Sequence, residues 1–458
     1  MKYLSTRDDS LSRSFNDILY QGLSRDGGLY LPKSWPKIDL LSLKNKSYKE
    51  VACEIIFPYV NENIEKLELQ KILNETYSNF NHEKIAPLVE LENNKFLLEL
   101  IYGPTFAFKD VAMQLLAALL DKAAEKTDKK IIVLGATSGD TGSAAIEACK
   151  KFKDIDIAIL FPHQKISPVQ QRQMTTSNAK NVFPLAVKGD FDDCQNYVKK
   201  MFIENDNEEV KFVSINSINW TRIMAQSVYF FSTRLQLKKD FIASIPSGNF
   251  GHAYAGWTAK NMGLSFKGIN IATNKNDVLH RLFSDDLYQK KETSASLAPS
   301  MDISVASNFE RLLFEIYKKN GAKLSDTFSS FPAKAIDFNQ SDEIWQEVKA
   351  FFQSSTCDDK EIVGTIVKSF ETENILFDPH TATAIKGNKD LNLDPSELVT
   401  FATAHPAKFP DAINKELDIL DENTPSSLKE IMTKEETFSV LENNFEDLNN
   451  YLNSEVLN

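Results

Sequence analysis

The stretch GPTFAFKD, residues 103–110, places a lysine directly behind Phe106, Ala107 and Phe108. Two readings compete for Lys109. It is a solvated residue at the start of an amphipathic helix, the usual fate of lysine. Alternatively, its apolar approach partly removes it from water. Desolvation and the positive end of the following helix then both lower its affinity for protons. A neutral amine is the nucleophile that a Schiff base requires. On this second reading Asp110 has to point elsewhere or hold backbone donors, because a carboxylate beside the amine would oppose the shift.

Two glycine loops could hold anions. IIVLGATSGDTGSAAIEACKK, residues 131–151, reads as strand, loop, then helix opening near Gly142. A loop so rich in Gly, Ser and Thr aims hydroxyls and backbone N–H groups at one point, where the helix dipole favours negative charge. A plain N-cap by Ser138 or Thr141 accounts for the same residues. The glycine spacing is not G-x-G-x-x-G and no Gly-Lys-Ser/Thr follows, so dinucleotide and P-loop readings are weak. FIASIPSGNFGHAYAG, residues 241–256, repeats the strand–loop–helix order. Ser247, Gly248, Asn249, Phe250 and Gly251 suit a wrapped phosphate, with glycines allowing close backbone approach. Two such loops suggest two anions held across a cleft.

LVTFATAHPAKFP, residues 398–410, ends a buried-type strand at Thr403. A hydroxyl at the carboxyl end of a parallel strand sits where ligands bind in open α/β sheets. His405, beside Pro406, reads as structural before catalytic. None of the histidines has metal-ligand spacing, so no metal site is expected. An amine, a phosphate cradle and a ring-nitrogen partner together fit pyridoxal 5'-phosphate, and a second cradle fits an amino-acid carboxylate.

The elements that must position these residues begin with a helical cap. Phe15, Ile18, Leu19 and Leu23 recur at helical spacing, a turn follows at Asp26–Gly28, and Val51, Ile55 and Ile56 start a helix ending near Pro58. Apolar runs then alternate with helical segments. Strands are expected over 96–101, 131–134, 157–161, 182–187, 241–245, 269–272, 375–377 and 398–402, with a helix over 111–124. That alternation argues for parallel sheets with crossover helices, an α/β fold. The expected division is an N-terminal helical domain over 1–85 and a first α/β unit over 86–215. A second unit then spans 216–458, ending in a solvated helical tail from about Asp411.

The 458 residues carry a net charge of -12, which argues against a nucleic-acid surface. Four scattered cysteines without CxxC or zinc spacing indicate neither a disulfide scaffold nor a structural metal. With no apolar signal core at MKYLSTRDDS and no run long enough to span a bilayer, the chain reads as cytoplasmic, with no membrane partner.

The motifs MKYLSTRD, DGGLYLP, GPTFAFKD, GATSGDTGSAA, ISPVQQRQMTT, SINSINWTRI, PSGNFG, SMDISVASNFERLL, FDPHTA and ATAHPAKFP occur in one order along almost the whole chain. In this the chain closely resembles the threonine synthase family, in its longer bacterial and fungal form. The resemblance implies a tryptophan-synthase-β-like, fold-type II pyridoxal-phosphate enzyme that converts O-phospho-L-homoserine and water into L-threonine and phosphate. It implies that Lys109 carries the cofactor and that Gly248, Asn249, Phe250, Gly251 and the backbone at His252 hold its phosphate. Many family members carry an acidic residue where this chain has His252. Thr403 is expected to face the pyridine nitrogen. Ser138, Gly139 and Thr141 are expected on the substrate carboxylate, and Ser217 and Arg222 on the substrate phosphate. A phospho-lyase or serine/threonine dehydratase on the same scaffold shares Lys109 and both loops. A rival of another class is a non-catalytic α/β protein binding some other phosphate.

Overall fold

The computed structural model describes residues 1–204, 207–413, 417 and 424–457. Runs of aliphatic residues buried on both faces become the inner strands of two sheets, as expected where helices cover both sides. One sheet has five strands, in the spatial order Ser439–Leu441, Val182–Val187, Ile155–Pro162, Lys130–Ala136 and Val210–Val213. Every neighbouring pair in it is parallel. The other has six, in the order Phe352–Thr356, Gly268–Thr273, Ile242–Pro246, Leu398–Ala402, Phe96–Glu99 and Leu88–Glu90. Only its last pair is antiparallel.

The helix Lys109–Ala124 packs against helices Asp140–Cys149 and Trp220–Leu237. Its Ala- and Leu-rich surface is buried over nearly its whole length, including its first two residues, Lys109 and Asp110. The N-terminal region is mostly helical. Ser14 and Asp17 close a capping box on Phe15–Gln21, and Ser47 and Glu50 do the same on Tyr48–Val60, which ends two residues after Pro58. A small antiparallel sheet of Ser12–Arg13, Tyr3–Ser5 and Tyr30–Pro32 joins these helices.

Three sequence expectations change. The strand near residue 96, assigned to the first α/β unit, hydrogen-bonds along Leu398–Ala402 in the other sheet. Residues 375–377 form no strand, because Asn374 ends one helix in the left-handed conformation and Asp378 caps the next. Phe377 instead buries against Leu97 and Ala402. The stretch after Asp411 is not simply a solvated tail. Ser439–Leu441 adds an edge strand to the five-stranded sheet, and Leu448, Leu452 and Val456 are buried against that sheet's residues. Residues 414–416 and 418–423 of this stretch lie outside the described residues.

Candidate active site

The turn before Lys109 is built around Asp110. Its carboxylate accepts from the Thr105 N–H at 2.8 Å, the Thr105 hydroxyl at 2.7 Å and the Ala107 N–H at 3.4 Å. It therefore holds backbone donors and leaves the amine alone. A Cβ at Gly103 would collide with this carboxylate, so the turn needs glycine there. Burial pushes the Asp110 carboxyl up to about 6, against its hydrogen bonds. The Phe108 N–H donates to the Thr403 carbonyl at 2.8 Å, and the His405 N–H to the Phe106 carbonyl at 2.9 Å. The strand exit at Thr403 is thus stitched to the lysine turn.

Lys109 is 7% exposed, which excludes the solvated reading. Its Nζ lies 3.1 Å from Asp140 Oδ2 and 3.1 Å from Ser300 Oγ. Desolvation lowers its proton affinity, Asp140 opposes this, and the charges of Lys408 and Arg222 add to the lowering. Burial works against the charge of Asp140 as well. Lys109, Lys408 and His380 nevertheless outweigh burial and hold its carboxyl well below the usual range.

Asp140 opens the helix Asp140–Cys149, whose N-cap is Gly139 with φ 141°. Neither Ser138 nor Thr141 caps this helix. Thr137 closes the loop instead, its hydroxyl accepting from the N–H groups of Gly139 at 3.0 Å and Gly142 at 2.9 Å. Ser138 and Thr141 remain half-buried. Gln170 Nε2 donates to Asp140 Oδ1 at 2.8 Å.

Ser300 joins this loop to the second one. Its hydroxyl reaches Lys109 and lies 3.4 Å from Asp140 Oδ2, while its backbone lines Gly248. A Cβ at Gly248 would stand 2.9 Å from Ile303 Cγ1, 3.0 Å from Met301 Cα and 3.1 Å from the Ser300 carbonyl oxygen. Phe250 adopts φ 62° with its ring fully buried, and Gly251 begins the helix Gly251–Asn261. The first N–H groups of that helix have no acceptor within it. Asn308 Nδ2 donates to the Asn249 carbonyl at 3.2 Å and to the Ser217 carbonyl at 3.1 Å, so one side chain couples the 247–251 loop to the 214–219 loop. His252 is buried in an aromatic box of Phe108, Tyr229, Phe230 and Phe401. Burial alone takes its imidazole down to about 3.

Arg222 lies in the first turn of Trp220–Leu237 and is 3% exposed. It pairs with no carboxylate among the described residues. One NH donates to the Ile215 carbonyl at 3.3 Å, and its buried Nε has no acceptor. Burial brings the guanidinium down to about 10. Thr403 is buried, and its N–H donates to Thr381 Oγ1 at 3.2 Å. Thr381 and His380 follow Asp378, which caps their helix. His380 Nδ1 lies 2.9 Å from Asp378 Oδ2, and His380 Nε2 accepts the Ser300 N–H at 3.2 Å. His405 accepts the Ala407 N–H through Nδ1 at 3.2 Å and so caps the Pro406–Lys408 turn.

The structure thus gathers Lys109, Thr403 and both glycine loops, with Arg222 near enough for its charge to bear on the amine. Asp140, Ser300, Gln170, His380 and Lys408 stand beside them without having been singled out as site residues. These residues suit pyridoxal phosphate. A buried amine of lowered basicity serves an aldehyde, and a helix N-terminus with glycine at the close approach serves a phosphate. Ser247 Oγ, buried in that loop without a hydrogen bond, adds a donor awaiting an acceptor.

Three family models match the chain: "Threonine synthase N terminus" over residues 2–77, "Pyridoxal-phosphate dependent enzyme" over 80–330 and "Threonine synthase, C-terminal" over 381–452. The threonine synthase of Pseudomonas aeruginosa is 41% identical, covering 97% of this chain and 96% of that protein. That of Saccharomyces cerevisiae is 35% identical over 96% and 95%. The crystal structure of pyridoxal-phosphate-bound threonine synthase from Brucella melitensis superposes with a TM-score of 0.93, at 39% identity and 99% coverage of both chains. A tomato threonine deaminase at 14% identity, with a TM-score of 0.53, shares the fold alone.

Proposed function

Because the chain belongs to the threonine synthase family of pyridoxal-phosphate-dependent lyases, we propose that its site takes O-phospho-L-homoserine and water to L-threonine and phosphate. The observation that carries this substrate is Arg222, a buried guanidinium with no carboxylate partner among the described residues and an unused Nε. An uncompensated buried cation is costly unless an anion arrives. A phosphate ester supplies one in addition to the α-carboxylate that the 138–141 loop would take, whereas unphosphorylated serine or threonine has no second anion to offer.

The cofactor, when bound, supplies an aldehyde and a conjugated ring that accepts electron density from the substrate's Cα. Lys109 is the amine that would hold this aldehyde. The backbone at Gly248, Asn249, Phe250, Gly251 and His252 would hold its phosphate, and the Thr403 hydroxyl would face its ring nitrogen. A neutral hydroxyl there does not force that nitrogen to be protonated. Ser138 and Thr141, whose hydroxyls do not cap the helix, would receive the substrate carboxylate together with Gly139. As a free amine, Lys109 would be the group to take the Cα proton and return it. Ser217 and Arg222 would receive the substrate phosphate and stabilise its charge as it leaves Cγ. The burial of Lys109, Thr403 and Arg222 would restrict the water that reaches the reacting atoms.

Purified protein given phosphohomoserine and pyridoxal phosphate is expected to release threonine and phosphate. Release of 2-oxobutyrate would overturn this in favour of a dehydratase-type reaction. Borohydride should fix the cofactor onto Lys109. The four cysteines are buried free thiols, and no helix among the described residues is long and apolar enough to cross a membrane. We place the reaction in the cytoplasm, where thiols stay reduced.

A further inference from the structure

Lys408 is fully buried, with 0% exposure. Its backbone is pinned in the short turn Pro406–Lys408. Its Nζ reaches the Thr105 carbonyl at 2.7 Å and Asp140 Oδ1 at 3.0 Å. Asp140 therefore offers one oxygen to Lys408 and the other to Lys109, which lies 3.1 Å away. Two lysines thus share a single ion-pair partner, one on each of its oxygens.

Their other surroundings differ. Lys408 meets a carbonyl and a carboxylate, both acceptors that favour the ammonium. Lys109 meets the same carboxylate and the Ser300 hydroxyl, which donates to a neutral amine as readily as it accepts from a charged one. The other charged or titratable groups nearby are Arg222 on the helix Trp220–Leu237, Asp110 in the lysine turn, His380 with its partner Asp378, and His405 before the Pro406 turn. Asp110 is occupied by Thr105 and Ala107, and Asp378 by His380 and Thr381. Neither makes an ion pair with Lys109 or Lys408, although the charge of Lys408 is felt at Asp110.

We propose that Lys408 is the resident counter-ion of Asp140 and a positioning residue for Lys109: by keeping that carboxylate paired, it lets Lys109 shed its proton without leaving a lone buried anion. The same contact ties the lysine turn, the 137–142 loop and the strand exit at Thr403 together. This inference rests on the reading of Lys109 as the cofactor-bearing amine.

The test is the pH profile of Lys109 itself, in full-length protein freed of cofactor with hydroxylamine. Competitive acetylation with acetic anhydride, read peptide by peptide by mass spectrometry, gives the midpoint at which this amine becomes reactive. In Lys408→Met, Asp140 is left to Lys109 alone, and the midpoint should rise by about one unit or more. In Asp140→Asn/Lys408→Met both charges are gone, and the midpoint should return close to that of the parent. An unmoved or lower midpoint in a folded Lys408→Met would overturn the proposal, since a purely structural lysine lowers melting temperature without moving this profile. If Lys408→Met does not fold, Asp140→Asn is compared with the double variant. Asp140→Asn should then have the lower midpoint, because it keeps an unpaired Lys408 beside Lys109, and equal midpoints would overturn the proposal. Borohydride labelling at a lysine other than Lys109 would remove the functional reading without touching these midpoints.

Discussion

Phe108 lies flat against His252, with ring centroids 5.0 Å apart and planes inclined by 11°. The stack joins the residue before Lys109 to the second residue of the helix behind the 247–251 loop. Neither ring nitrogen of His252 makes a hydrogen bond among the described residues, and the imidazole is held neutral, down at about 3 against an ordinary value of 6.5. A base whose folded value is depressed binds its proton more readily in the unfolded chain. The stability that depends on its neutrality is whole above about pH 6.5 and is lost as the pH falls towards 3. Replacing His252 by leucine should therefore reduce the loss of stability between about pH 7 and 5.5 by roughly 1 kcal/mol. Urea titrations of both proteins at the two pH values measure this. Parallel losses would show that the imidazole takes up its proton as readily in the folded protein as in the unfolded chain.

Arg222→Lys and Arg222→Met should each lower kcat/KM for phosphohomoserine by about 100- to 1000-fold. The lysine variant is included because a point charge does not reproduce the guanidinium fork. Inhibition by inorganic phosphate should weaken in parallel. Cofactor absorbance should be unchanged, which separates this role from a defect in the cofactor pocket.

At Gly248 two of the three atoms facing a new Cβ are backbone atoms of Met301 and Ser300, which cannot rotate away. Gly248→Ala should cost about 1–3 kcal/mol of strain. The 300–303 segment, and with it Ser300, should be displaced from Lys109. The expected result is a lower melting temperature together with weaker retention of pyridoxal phosphate on dialysis. A variant that melts lower but keeps the cofactor as tightly as the parent would show that the loop tolerates the shift.

Much of this arrangement was legible before any coordinates. Val182–Val187 and Leu398–Ala402 form strands with the expected bounds, because unbroken apolar runs between turn residues leave few alternatives. The apolar approach to Lys109 raised burial only as the less usual of two readings, and the structure selects it. What escaped depends on distant pairing. Phe352–Thr356, FQSST, is an edge strand whose polar residues carry little apolar signal. Ile375–Phe377 carries that signal but spends it on a loop contact. Asp140 looks like an ordinary acidic residue at a helix start. Its meaning emerges only when Lys408, from the far end of the other sheet's chain segment, arrives at its second oxygen.

Ser439–Leu441 has a consequence for the order in which the molecule can be assembled. Its partner, Val182–Val187, leaves the ribosome more than half a chain-length earlier and until then presents a row of bare amides and carbonyls to its surroundings. The five-stranded sheet gains its last strand only after residue 441 has emerged. A nascent chain stalled short of that point would expose a sticky border, one that a chaperone or a second unfinished copy could pair with in its place.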